Sequence, residues 1–501
     1  MNHALILPIL LPMFVGSLLL FGARLGMPVK RWLSLSATGL LVPLSFWLML
    51  QADQGDLQVY ALGNWQPPFG IILVLDRLSA LMLVVTSVLA FFAALYAVRG
   101  DDERGPNFHA LFQFQLMGIN GAFLTGDLFN LFVFFEILLI ASYSLLVHGG
   151  GRERVSAGLH YVVLNLIGSA FFLLAVGVLY GITGTLNMAD LAVRVAAAGP
   201  DQAPLLGAAG MLLLVVFGLK AAFLPLYFWL PKAYAAASAP VAALFAVMTK
   251  VGLYAILRVY TLIFGDEAGT LANMVDAWLW PLALLTVVLG VVGALAANSL
   301  HRLLAYLMVV SIGTLLAGIA LGTPESLSAA LYYLVHSTWI SGGLFLLADL
   351  IARQRGVKSA ELVQGPALQN PHLLGALFFM GAIAVAGLPP LSGFIGKLLL
   401  LHSVEPGLQA ALLWPVVLGG GLFSLIALSR AGSTLFWRVG LSQLDSAELD
   451  YGRLLACAGL LLLSPLLVGL AAPLLAYVDA TVIQLHDLSL YRQIVQVGGA
   501  P

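Results

Sequence analysis

Long apolar stretches fill almost the whole chain, each ended by a few charges or by glycine and proline. Runs of about 18 apolar residues or more are long enough to span a bilayer core as a helix. Reading them between their punctuation predicts fourteen helices. Their limits are 4–22, 32–50, 71–98, 108–125, 128–147, 158–181, 205–230, 239–264, 273–297, 302–321, 326–351, 372–403, 411–438 and 454–477. The connections are short, and the longest, 182–204, is rich in Ala and Gly and carries no motif. The pattern predicts an all-α polytopic membrane protein.

Composition agrees. Of 501 residues, 61% are hydrophobic and only 9% charged, against about 25% charged in a soluble domain. That is too little polar material to cover a water-facing surface. The initial run ALILPILLPMFVGSLLLF has no basic stretch before it and further spans follow, so it reads as a retained first helix. The single cysteine, Cys457, lies in an apolar run and excludes an intrachain disulfide or a cysteine-held metal cluster. A net charge of −1 offers no basic patch for nucleic acid.

Charge placement orients the chain. Fifteen of the 22 Lys and Arg, from Arg24, Lys30 and Arg31 to Arg430, Arg438 and Arg453, fall on alternate loops. The intervening loops take Arg194, Arg258 and Arg492, and one of them holds Asp53 and Asp56 with no base. Basic loops stay in the cytoplasm, so both termini are expected outside it.

Five ionisable residues sit well inside predicted spans: Glu136, Lys220, Lys250, His336 and Lys397. A charge at a helix centre costs about 2.5–3.5 kcal/mol against lipid, so these must face the interior, pair, or reach water. A fixed Glu136–Lys220 ion pair, snorkelling lysines and a satisfied core histidine are the purely structural readings. Lys220 and Lys250 lie 11–15 residues into their spans, too deep to snorkel easily. Burial disfavours a lysine's charged form and a nearby carboxylate favours it, so a lysine beside a movable carboxylate can pass a proton. Histidine titrates near neutrality with the least tuning, and Tyr332, Tyr333, Ser337, Thr338 and Ser341 surround His336 in sequence. Such an array reads as a proton relay. KAAFLPLYFWLPK (220–232) and VAGLPPLSGFIGK (385–397) each set a Leu-Pro pair in an apolar helix with a lysine nearby, a hint of two broken helices in related halves. The run GGLFLLADL is no phosphate loop, and no nucleotide, haem or metal motif appears; no cofactor is expected.

TGDLFNLFVFFEILLIASYSLL (125–146), FGLKAAFLPLYFWLPKAYAAASAPVAALFAVMTKVGLYAILRVYTLIF (217–264), HRLLAYLMVVSIG (301–313) and GLPPLSGFIGKLLLL (387–401) resemble one family. It is that of the proton-translocating subunits shared by respiratory complex I and Mrp-type cation/proton antiporters, and the likeness is strongest to the D-type members of the Mrp (Pha, Mnh) group. The resemblance covers about 110–440. It implies two inverted five-helix repeats with broken seventh and twelfth helices, dividing the chain into 1–107, 108–265, 266–438 and 439–501. It also implies roles: Glu136 and Lys220 as partners, Lys250 as the central lysine, His336 as a relay and Lys397 as the terminal lysine. Ser341 stands where many relatives carry a lysine, and Asp76 matches a family aspartate at a subunit contact or simply charges a helix end. The implied function is proton movement in exchange for Na⁺ or K⁺, by a non-enzymatic subunit embedded in the lipid bilayer among other antiporter subunits. The alternatives are a proton-pumping subunit of an NADH–quinone oxidoreductase or membrane-bound hydrogenase, and a scaffold whose neighbours carry the ions.

Overall fold

The computed structural model describes residues 2–22, 24–55, 57–438, 440, 448–491 and 493. Asp56 and Arg492, counted above among the loop charges, lie outside them. Two helices, α1 (Leu7–Phe21) and α2 (Met27–Ala52), precede a hairpin of β1 (Gln58–Ala61) and β2 (Ile72–Leu75), paired antiparallel with Gln58 opposite Leu75. Then come α3 (Arg77–Ala97), α4 (Phe108–Leu124), α5 (Leu128–Leu146), α6 (Arg152–Thr183), α7 (Met188–Ala196), α8 (Ala203–Ala221), α9 (Trp229–Ala236) and α10 (Ala239–Leu262). The second half holds α11 (Asp276–Ala296), α12 (Leu300–Leu321), α13 (Pro324–Gln354), α14 (Pro371–Ala386), α15 (Ser392–His402), α16 (Leu408–Gly432), α17 (Tyr451–Gly469) and α18 (Ala471–His486).

Twelve of the described helices are long and apolar enough to cross a membrane, against fourteen expected spans. The difference lies at 108–125, where α4 is 17 residues long, and at 372–403, which is split into α14 and α15. The expected 71–98 helix begins only at Arg77, because Asp76 caps it in a capping box with Ser79 while Ile72–Leu75 pair as a strand. The last span is two helices meeting at Leu470. Within the supposedly featureless 182–204, Asn187 accepts from the amides of Ala189 and Asp190 and starts α7.

A helix apolar on every side belongs in the core. α10 is buried at every position but Thr261, and α3, α8 and α13 pack around it. α6, α11 and α16 instead present Leu159, Leu174, Leu285 and Leu422 outward, as lipid-facing helices do.

Both Leu-Pro stretches are true breaks. After α8, Ala222 takes the left-handed conformation at φ +60°. Trp229 Nε1 then donates to the Leu219 carbonyl at 3.0 Å, and Thr286 Oγ1 accepts from the Leu224 amide at 3.0 Å. After α14, Gly387 turns at φ +81° and α15 restarts at Ser392. In an apolar surround, backbone groups freed by a break must find partners within the protein.

Candidate proton-relay site

Lys220, Lys250, His336 and Lys397 retain 6%, 0%, 1% and 7% of their surface, which excludes snorkelling; Glu136 is only part-buried. The direct Glu136–Lys220 pair expected from the sequence is not formed. Glu136 Oε1 accepts instead from the Ser169 hydroxyl on α6, while Lys220 Nζ donates to Asn165 Oδ1 at 3.0 Å, one turn earlier on the same helix. Ser169 also donates to the Asn165 carbonyl at 3.0 Å, and Asn165 Nδ2 to the Tyr161 carbonyl at 2.8 Å. A neutral amide and a hydroxyl thus separate the two charges. The Phe135 ring centroid lies 6.0 Å from the Lys220 ammonium.

Lys250 lies at the centre of the buried α10. Its Nζ has no hydrogen-bond partner among the described protein groups. Gly252 brings α10 against the end of α8: a Cβ there would stand 2.4 Å from the Ala221 nitrogen and 2.8 Å from the Lys220 carbonyl carbon. The two lysines therefore ride on helices in backbone contact.

In the second half, His336 Nδ1 and Ser392 Oγ are 2.7 Å apart, and Ser392 Oγ and Ser464 Oγ 2.8 Å. That chain links α13, the start of α15 and α17. Lys397 Nζ donates to the carbonyls of Val385 (3.0 Å) and Ala386 (2.9 Å), freed where α14 ends. A cation at a helix C-terminus also meets the negative end of the helix dipole.

Ser337 and Ser341 line a cavity of about 20 Å³ together with His336, Tyr333 and Ser311. That volume exceeds the roughly 10–15 Å³ needed to hold one water. Tyr332 points elsewhere, donating to the Leu467 carbonyl at 3.2 Å beside the α17–α18 junction. Asp76 lies apart from the array, 1% exposed. It pairs with Arg258 at 2.5 and 2.9 Å and accepts from Tyr491.

Sequence reasoning missed Asn165, Ser169, Ser392 and Ser464, and it assigned Arg258 to a loop. The signal for the first two was present, as polar residues four apart on the predicted 158–181 helix lie on one face. Arg258 fell inside the predicted 239–264 span and belonged with the buried charges. No group of three or more His, Cys, Asp and Glu that could hold a metal ion occurs among the described residues.

Broken helices beside buried basic side chains are a pattern of membrane transporters. Residues 125–424 match the family described as NADH:quinone oxidoreductase/Mrp antiporter, TM. The chain belongs to this family. It is 44% identical over 470 residues, 87% of each chain, to the probable D-type K(+)/H(+) antiporter protein of Rhizobium meliloti (strain 1021). It is 43% identical over 401 residues, 79% of this chain and 80% of the relative, to the D-type Na(+)/H(+) antiporter protein of Bacillus subtilis (strain 168). Both relatives are named as subunits of their antiporters. Among solved structures, a chain of the Mrp complex from Dietzia sp. DQ12-45-1b superposes with a TM-score of 0.87 at 27% identity, covering 99% of this chain and 100% of that one. A chain of respiratory complex I from Thermus thermophilus does so at 0.77 and 27%, with the same coverage.

Proposed function

We propose that this chain is the proton-carrying D-type component of a multisubunit antiporter, in which protons move inward and Na⁺ or K⁺ moves outward. The single observation that carries the reading is four basic groups, each more than nine-tenths buried, on α8, α10, α13 and α15, helices that pack against one another in that order. Such groups are costly to bury in a membrane-spanning helix, and where they occur they mark ion and proton pathways. Both relatives above carry D-type antiporter names, and a gradient-driven exchange needs no bound cofactor. Its partners are the other antiporter subunits, and the chain crosses the membrane fourteen times with both termini outside the cytoplasm. Residues 108–265 and 266–438 form the two repeats, each with one broken helix.

In this scheme Glu136 sets the proton affinity of Lys220 through Ser169 and Asn165. Rearrangement of that hydrogen-bonded chain hands the proton to Lys250 across the α8–α10 contact. His336, its serine partners and Ser341 carry it through the second half, and Lys397 completes the line. The likeness to the complex I chain keeps a redox-driven pump as the second reading; iron–sulfur or flavin proteins copurifying with the chain would favour it.

The test uses everted vesicles from antiporter-deficient cells expressing the full set of neighbouring genes. Respiration builds a proton gradient followed by a pH-sensitive dye, and Na⁺ or K⁺ is then added. Wild type is expected to collapse the gradient on cation addition, and Glu136→Gln and Lys250→Gln to lose that response at matched levels of assembled complex. Intact exchange in Lys250→Gln would leave the chain a scaffold.

A further inference from the structure

The proposed relay does not say how Lys250 meets the solution. The helices around it meet at a chamber on the face opposite the arginines of the α3–α4 connection. This cavity, about 230 Å³, lies between the C-terminal ends of α10 and α12, the start of α13 and the segment preceding α11. Its wall carries Thr261, Asp266, Asn273, Asp276 and His486, with Asn273 Nδ2 donating to Asp266 at 2.8 Å. A polar space of that size holds several waters.

Deeper along the same three helices lies a second cavity, of about 10 Å³. Its walls are aliphatic, chiefly Leu253, Leu257, Leu315, Ile319, Leu327 and Leu331. Its one hydroxyl, on Tyr254, is already committed to the Phe123 carbonyl at 2.6 Å. The space is at the threshold for a single water and offers it no partner. Leu257, Ile319 and Leu327 line both cavities, one residue from each helix. Leu253 lines the inner cavity, and Lys250 stands three residues earlier on α10, about 4.5 Å along the axis, with its Nζ unpartnered.

The geometry points to a hydrophobic gate: Leu257, Ile319 and Leu327 form a dry neck between a wet chamber and Lys250, and protons reach or leave that lysine only when water threads the neck. An apolar constriction blocks ions by dewetting rather than by closure. Polar side chains in the neck hold water and open it. This rests on the relay reading for its purpose, but its test does not depend on transport.

In the assembled complex with Cys457→Ser, cysteines are introduced at Thr261 in the chamber and at Leu334, a wall of the inner cavity. A membrane-impermeant methanethiosulfonate cation is added from each side in turn. Thr261→Cys is expected to react from one side, and Leu334→Cys to remain protected. Adding Ile319→Ser is expected to speed Leu334→Cys labelling from that side by at least about fivefold, as wetting of the neck requires. Leu327→Asn, on another helix, is expected to do the same should Ile319→Ser fail to assemble. Protection of Thr261→Cys, reaction of Leu334→Cys at the chamber rate without a neck substitution, or no acceleration by either polar variant would overturn the gate. A cation-free vesicle assay gives the second readout: either neck variant should dissipate an imposed proton gradient several-fold faster than wild type. An unchanged leak would count against the neck. Because labelling needs no exchange activity, failure of the gate and failure of the relay are told apart.

Discussion

Asn165 holds the Lys220 ammonium at 3.0 Å while its own amide is anchored on the Tyr161 carbonyl. Ser169, on the same face of α6, receives Glu136. A neutral bridge has a mechanical advantage over a direct ion pair, since a buried pair with its partners removed leaves an uncompensated charge. Here only hydrogen bonds to neutral groups have to open, each weaker than a buried ion pair. Asn165→Leu, similar in size but without the acceptor, is expected to slow cation-driven proton exchange about 10- to 100-fold, the equivalent of a hydrogen bond to a charged group. Exchange at the wild-type rate in that variant, with the complex assembled, would mean that Glu136 acts on Lys220 without the bridge. Ser392 has a matching place in the second half, between His336 and Ser464.

Two interrupted helices supply what continuous ones cannot. Each break turns backbone carbonyls away from the helix and leaves a lysine at its edge: Lys220 just before the first, Lys397 just after the second. The second break depends on a glycine at which no side chain fits. A Cβ on Gly393 would stand 2.0 Å from the Ala384 carbonyl oxygen and 2.8 Å from His336 Nε2. Gly393→Ala must therefore part α15 from α14 or push the imidazole aside, and overpacking of this kind costs about 1–3 kcal/mol. It is expected to lower the Tm of the purified complex and to reduce exchange, whereas Gly177→Ala, which meets nothing within 4 Å, should change neither. Equal behaviour of the two variants would show that the break relaxes freely.

Two adjacent aspartates following α3 fasten the molecule at its arginine-rich face. Asp101 receives Arg353 from α13 at 2.7 Å and Arg453 from α17 at 3.2 Å. Asp102 receives Arg31 from α2 at 2.7 Å and His109 from α4 at 3.0 Å. Burial by itself would raise the Asp102 carboxyl, but the Arg31 and His109 hydrogen bonds and charges outweigh it and lower it from 3.8 to about 2. With the folded value below the unfolded one, its stabilisation is complete above about pH 4 and is lost as pH falls toward 2. The shift corresponds to about 2 kcal/mol. Asp102→Asn is expected to lower the Tm of the purified complex at pH 7, with the gap to wild type narrowing below about pH 4; a gap that stays constant with pH would assign the effect to packing alone. The arginine pairs were not legible in the sequence, since partners 71 to 352 residues apart meet only when the helices assemble. The membrane class, the approximate spans and the five ionisable residues inside them were legible, because hydrophobic length and misplaced charge are local properties. Capping also explains in retrospect where α3 and α7 begin. Tertiary structure alone decided that Asn165 and Ser169 take the hydrogen bonds of Lys220 and Glu136, that Arg258 pairs with Asp76, and that three aliphatic side chains from α10, α12 and α13 meet between two cavities. The physical reason is common to all three. In an almost uniformly apolar chain, sequence says which residues cannot face lipid, but which partner relieves each of them is set by the packing of helices distant in sequence.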